Sequence, residues 1–457
     1  MSSALPTLSA RTCRGVTEIV AADFKHATTV EGIRFTAQIA VPNVILGLFN
    51  KRELPSRIAS TVGADYLGYR LVEGMVRSYG PEPFYVRVAR DEALLIHHPD
   101  DLQFVLGGSP DPFASDPDAK RKGMAAFQPE ALTISRGREW QDRRKFAEAV
   151  LDTGKPMHRL AQPLVDVAAD TARELASDTM GWPTFNKAMQ RMTRRVLFGA
   201  AAADDDDLSV ELGELMSAGN RMPGEPAPGY GEFISRIESY LENPPPDCLA
   251  ALIPQAPDPG VQPAGQLVHW LFAMGDTLAA NVFRTLGVLS THDEQLHEVD
   301  AEMANADIDS AAGIAKLDYL AGCLFETMRL WPTTQLFGRV TTRDVEFPNG
   351  AVLPEGRQAL IYNVFNHRNR NLIPYADRFS PGEWVSGDAG NEWSFNFFSH
   401  GPQVCPGAGL SLFLGQAVLA RLIYAGATHV SGSQLNPSKT LPHGLDLYGF
   451  SVATRAS

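Results

Sequence analysis

Residues 396–410 read NFFSHGPQVCPGAGL, and the setting of Cys405 in that stretch decides how the rest of the chain is understood. Gly401 precedes the cysteine, and Pro406, Gly407 and Gly409 follow it. The segment LSLFLGQAVLARLIYA then runs on with the apolar spacing of a helix. A cysteine at a helix start faces unpaired N–H groups and partial positive charge, both of which favour a thiolate. The glycines permit a tight loop and close backbone approach to a flat ligand, and Pro406 stiffens the entry. Taken alone, such a cysteine is more often a small buried hydrophobe than a reactive group.

The bulk properties narrow the setting. The chain has 457 residues, of which 44% are hydrophobic and 20% charged, as in a globular protein with a large core. A formal net charge of −13 speaks against nucleic acid as a partner, because phosphate binding needs concentrated Lys and Arg. Cys13, Cys248, Cys323 and Cys405 show no paired or C-x-x-C spacing, so neither a disulfide framework nor a structural zinc site is implied. A reducing cytoplasm is the expected compartment. The N-terminus lacks the apolar core of a signal peptide. The run AQIAVPNVILGLF (37–49) is shorter than the ~20 residues of a membrane span. No internal repeat is visible, and length alone would suggest two or three domains, although single large folds reach this size.

Periodicity predicts a mainly helical body with small β-sheets. Helices are expected over 55–79, 137–151, 158–177, 183–199, 263–291, 316–330 and 407–425. FYVRVA (84–89) and ALLIHH (93–98) form a candidate hairpin, and RVTTRDVEF and QALIYNV are β-like pieces after residue 333. The acidic AAADDDDLS (202–209), NRMPGEPAPGYG (220–231) and NPPPDC (243–248) read as loops. No G-x-G-x-x-G or P-loop follows a strand.

Five segments in order along the chain together resemble the cytochrome P-450 family, the haem-thiolate monooxygenases. Phe398, Gly401, Cys405 and Gly407 match its F-x-x-G-x-x-x-C-x-G ligand loop. Glu326 and Arg329 in FETMRLWP match its Glu-x-x-Arg helix, and Arg339 matches an arginine that reaches a haem propionate. AMGDT (273–277) looks like the oxygen-binding part of the long central helix, and Trp140 with Arg144 matches the W-x-x-x-R helix. The matches span residues 137–425; Glu-x-x-Arg or W-x-x-x-R alone would carry little weight. The resemblance implies a single helix-rich domain over 1–457, with residues 1–50 as an N-terminal extension and haem b (iron protoporphyrin IX) between the central helix and the cysteine-loop helix. It makes Cys405 the axial iron ligand.

Each piece also has a local physical reading. Glu326 and Arg329 are i, i+3 neighbours on one helix face, and Leu324, Phe325, Met328 and Leu330 around them favour a buried structural pair over a solvated one. Gly275 loosens a strong helix, and Asp276 and Thr277 place an acid beside an alcohol, suited to managing protons if haem is bound. Without haem, Thr277 would simply back-bond to a carbonyl. Met274 stands where the family often has glycine. Trp140 and Arg144 share a face and would serve a haem carboxylate. The basic segment Arg136, Arg138, Arg143 and Lys145 reads either as a solubilising face or as a dock for an acidic ferredoxin or flavodoxin-like electron donor.

Two positions depart from the family. Gln403 stands where Arg or His usually supplies a further propionate partner, so neutralisation is expected to fall to Arg144 and Arg339. In YADRFSPGEW (375–384), which with Phe379, Pro381 and Trp384 fits the segment before the ligand loop, Glu383 replaces the arginine that completes the Glu-x-x-Arg network. Arg378 is a nearby substitute. The sequence reading is therefore a cytoplasmic, monomeric monooxygenase. It would act with O2 and an external electron donor on an apolar or amphipathic small molecule. Its pocket would be lined by 112–135, 268–274, 333–337 and 445–450 and covered by loops in 203–245. A peroxide-driven peroxygenase, an isomerase-like member and a non-catalytic haem gas sensor or carrier are the alternatives.

Overall fold

Extended backbone sends successive side chains to opposite faces, and this organises the β portion of the chain. The structure, a computed structural model, describes residues 23–454 except 48, 50–52, 177–178, 258–259 and 433–434. Cys13 and most of the expected N-terminal extension's first half lie outside the described residues. The strands of the main sheet are β1 (Lys25–His26), β2 (Phe84–Val88), β3 (Asp91–Ile96), β4 (Phe113–Ala114), β5 (Leu336–Thr341) and β6 (Gln358–Tyr362). They lie in the order β1-β2-β3-β6-β5-β4. The expected hairpin is β2–β3, paired antiparallel, whereas β3 and β6 pair parallel across a large sequence separation. Ala93, Leu95, Leu360 and Tyr362 enter one apolar cluster, while Leu94, Ile96, Ala359 and Ile361 enter another. Both faces of the sheet centre are therefore buried.

The helical body is built from α1 (Gly137–Val150), α2 (Ala161–Leu175), α3 (Trp182–Phe198), α4 (Pro263–Phe272), α5 (Ala279–Leu289), α6 (Asp318–Leu330) and α7 (Ala408–Tyr424). A π-helical segment, Ala273–Leu278, joins α4 to α5, so the expected long helix over 263–291 is continuous but widened in the middle. Helix α7 packs on α2, α5 and α6, and α3 packs on α2 and the π segment.

Three sequence expectations change. The helix expected over 55–79 is two, Glu53–Thr61 and Ala64–Tyr79, because Gly63 between them takes a φ of +65°. The acidic run read as a loop starts a helix, Asp206–Gly219: Asp205 caps the Leu208 N–H, and Asp206 and Asp207 lie in the first turn, where the helix dipole favours negative charge. With Tyr230–Leu241 also helical, much of 203–245 is helix rather than loop.

Gly415 fixes how closely α7 approaches its neighbours. A β-carbon there would lie 2.9 Å from Leu324 Cδ1 of α6 and 3.4 Å from Leu278 Cδ1 and Val282 Cγ2 on the central helix. Gly415→Val is expected to lower unfolding free energy by about 1–3 kcal/mol, as overpacked cores do, measured by urea denaturation.

Candidate active site

The loop before α7 is closed by its own backbone. The Cys405 amide donates to the Phe398 carbonyl at 2.7 Å, and the Val404 amide donates to the Gly401 carbonyl at 3.0 Å. Of the loop glycines, Gly401 is the one its conformation demands: φ is +67°, and a β-carbon would sit 2.5 Å from the Leu106 carbonyl oxygen. Gly407 has an ordinary φ of −93°, and its N–H acts to lower the Cys405 thiol pKa. Phe398 stacks edge-on to Phe397, with ring centroids 5.4 Å apart. From α1, Arg144 donates to the Val404 carbonyl at 2.5 Å and to Glu148 Oε1 at 2.6 Å, while Thr153 donates to the Pro406 carbonyl.

Cys405 lies deep in the chain yet keeps some accessible surface. The expectation of a lowered thiol pKa is reversed in the chain itself. Burial pushes it up, and the Gly407 N–H and the Arg144 charge offset only part of that effect.

Below the loop, Glu326 and Arg329 are fully buried and paired through two contacts, Nε–Oε2 at 2.7 Å and Nη2–Oε1 at 2.6 Å. Arg329 also donates to the carbonyls of His367, Ala376 and Arg378. Glu326 accepts from the Ser380 amide and from the Trp384 indole N–H at 2.9 Å. Trp384, neighbour of the departing Glu383, therefore completes the network, and Arg378 contributes its carbonyl rather than its guanidinium. His367 accepts at Nε2 from the Asn396 amide (3.3 Å), which leaves Nδ1–H to donate to the Arg329 carbonyl (3.2 Å). That ring connects α6 to the cysteine loop.

On the central helix, the amide of Asn186 from α3 donates to the Gly275 carbonyl at 2.7 Å, within the π segment. Burial pushes the Asp276 carboxyl above the usual range. Long bonds to Asp276 Oδ1 from Asn186 (3.4 Å) and Gln190 (3.5 Å) pull it partly back. Thr171, Thr193, Thr285 and Thr327 all donate to the carbonyl four residues back. Thr277 makes no such bond among the described residues, and its side chain lines a cavity. Met274 is buried.

The cationic residues fall into two groups. Arg339 is buried, with hydroxyl partners Ser109 and Ser399, both at 3.2 Å, and the Gly338 carbonyl. Burial pushes its pKa down to about 10 with no carboxylate offsetting it. Gln403 donates to Ser115 Oγ at 3.1 Å, and its Oε1 is buried without a partner. The basic stretch on and before α1 behaves differently: Arg136 pairs with Asp116, Arg138 with Asp142, Arg143 with Glu139 and Arg144 with Glu148. The chain's own acids therefore spend most of that charge, and exposed Lys145 is left over among the described residues. Trp140 is partly exposed one turn before Arg144.

A cavity of about 240 Å³ opens beside Asp276 and Thr277. Phe272, Thr333–Gln335 and Leu445–Tyr448 line it from three of the expected segments, Ala280 adds to them unexpectedly, and residues 112–135 do not line it. Asp65, Trp182, Asn186, Arg284 and His443 also contribute, none of which periodicity or motif singled out. Arg284 donates to the Trp331 carbonyl at 2.9 Å, and its Nε is buried without a partner.

The family model described as Cytochrome P450 matches residues 264–440. "Probable cytochrome P450 313a5" of Drosophila melanogaster is 30% identical over 168 residues, 35% of this chain and 34% of that protein. "Cytochrome P450 3A12" of Canis lupus familiaris is 26% identical over 164 residues, 35% of this chain and 32% of that protein. The aligned part thus spans about a third of the length of the curated relatives. Among solved structures, "Retinoic acid bound cyanobacterial CYP120A1" superposes with a TM-score of 0.63 at 17% identity, covering 77% of this chain and 86% of that one. That likeness is one of fold.

Trp384→Phe leaves a buried carboxylate oxygen short of a donor and is expected to cost about 1–3 kcal/mol in urea denaturation. His367 provides a pH test. Burial pushes its pKa down to about 3 from 6.5, so the unfolded chain takes up the proton first. Its stabilising contribution is complete above about pH 6.5 and falls by about 1.4 kcal/mol per unit as pH drops toward the folded value. Stability measured from pH 7 to 4.5 should fall less steeply in His367→Gln than in the parent.

Proposed function

We propose that this chain, which belongs to the cytochrome P450 family, is a haem-thiolate monooxygenase. It inserts one atom of dioxygen into a small amphipathic organic molecule, with electrons from an external donor. The observation that carries the reading is the deep but partly accessible Cys405 just before α7, in a loop whose Ser399 is bonded by the buried Arg339 cation, itself without a carboxylate partner among the described residues. A flat ligand with a metal for the thiol and carboxylates for the arginine fits those residues. When bound, iron protoporphyrin IX supplies the redox and oxygen-activating chemistry.

The chain's own residues orient and protect that centre. The Val404 and Pro406 carbonyls are pinned by Arg144 and Thr153, so the loop presents Cys405 at a set position. Arg339 holds a haem carboxylate, with Arg144 and the Trp140 N–H as further partners in the same reading. Asp276 takes the Asn186 and Gln190 amides at Oδ1, which leaves Oδ2 to carry a proton. Its burial favours retaining that proton, and the unbonded Thr277 hydroxyl beside it passes protons onward.

The cavity sharpens the substrate class toward the amphipathic. Phe272, Ala280 and Leu447 give apolar surface, whereas Asp65, Arg284, Gln335 and His443 put polar groups in the same walls. An acidic ferredoxin or flavodoxin-like protein remains the donor class, although the paired charges of α1 make Lys145 and shape, rather than a broad basic field, its recognition features. We place the protein in the cytoplasm as a monomer; among the described residues no helix is long and apolar enough to cross a membrane.

The reduced protein with carbon monoxide is expected to show the red-shifted band of a thiolate-ligated haem, and Cys405→Ser should abolish it. Absence of the band in the parent would overturn the reading. Asp276→Asn should lower reductant-dependent product formation about a hundredfold with that band retained. Turnover with hydrogen peroxide alone at the reductant-driven rate would favour a peroxygenase instead.

A further inference from the structure

We propose that Lys120 binds the carboxylates of the haem and supplies, from a different part of the fold, the charge that position 403 lacks in this chain. The inference rests on the haem-binding reading above. Lys120 belongs to the short helix Asp118–Met124. Its ammonium donates to the Ser115 carbonyl at 2.9 Å and the Thr133 carbonyl at 3.0 Å. An ammonium has three N–H groups, so one donor remains. The amide of Gln403 ends on the same residue, at Ser115 Oγ. Lys120 and Gln403 thus converge on Ser115, one at its carbonyl and the other at its hydroxyl.

Arg339 is brought to the same place by strand pairing. The register of β4 on β5 runs Phe113↔Thr341 and Ala114↔Val340; the pairing ends there, and Ser115 and Arg339 are the next residues on the two strands. Neither cation has a carboxylate within 4 Å among the described residues. Nearby Asp116 is committed to Arg136 at 2.8 Å and Arg121 at 3.8 Å. The two charges are close enough to act on each other: burial, and then the Arg339 charge, push the Lys120 pKa down to about 7. Burial also keeps neighbouring His269 neutral, with its pKa pushed down to about 4. The Asp116 charge acts on Lys120 as well but is shared with Arg136 and Arg121, so it offsets the two interior cations only in part. Such incompletely offset charges are costly, and a ligand bearing two carboxylates is the chemistry that balances them. Gln403, a neutral amide with a stranded Oε1, cannot do so.

The test is haem transfer from the full-length ferric protein to excess apomyoglobin, followed by the Soret absorbance change. Lys120→Gln is expected to release haem about tenfold faster than the parent. Lys120→Arg, or Gln403→Arg added to Lys120→Gln, should bring the rate back to within about threefold of the parent. Release from Lys120→Gln at the parental rate would overturn the proposal. So would faster release that neither arginine-bearing variant corrects, since Lys120 would then merely brace residues 115–133. A parent that holds haem but lacks the thiolate band fails the monooxygenase reading while leaving this comparison readable.

Discussion

The buried pair of Glu326 and Arg329 is the constraint on which the site depends. An ion pair with no access to water is tolerable only if every remaining donor and lone pair is used. Here the surplus donors of Arg329 go to four backbone carbonyls, those of His367, Tyr375, Ala376 and Arg378, and the surplus acceptors of Glu326 take Ser380 and Trp384. Removing one partner of such a pair typically costs about 3–5 kcal/mol, because the other is left charged in the interior. Those bonds tie α6 to the segment leading into the cysteine loop. His367 extends the connection to Asn396, nine residues before Cys405.

The same interior sets the character of the reactive groups. Burial moves each toward its neutral form: the Cys405 thiol and Asp276 carboxyl upward, and the Arg339 guanidinium downward. Local devices push back at two of them, through the Gly407 amide at the thiol and the Asn186 and Gln190 amides at the acid. A cationic metal for the thiol and carboxylates for the arginine would supply what the chain leaves uncompensated. Complementarity of charge, rather than any single contact, links the cysteine loop to the strand bearing Arg339.

Much of this was legible in local pattern. Helical periodicity placed α1 to α3, α6 and α7 within a few residues, because each buries one apolar face on a common core. Gly275 within an otherwise apolar helix reads as a loosening, and the form it takes, a π segment, is set by the structure. Pattern failed where polar residues act through geometry rather than burial. The Asp205–Asp207 run looked like a loop until its capping bond to Leu208 was seen. Gly63 broke a helix that its apolar spacing alone would continue. At 383, attention to a missing arginine obscured the neighbouring tryptophan, because a side-chain N–H can replace a guanidinium only where the backbone delivers it to Glu326.

The sequence by itself determined the element types, the cysteine loop and the i, i+3 pair, since these rest on short-range spacing that any fold must obey. Which groups share a dry interior was decided by tertiary structure alone. Lys120 and Gln403 are far apart in the chain, and both bond Ser115, the residue that follows the β4 pairing with the strand of Arg339. Asp65, Arg284 and His443 likewise reach one cavity from three separate segments. The cost of burying a charge depends on everything around it, and no local stretch of sequence contains those surroundings.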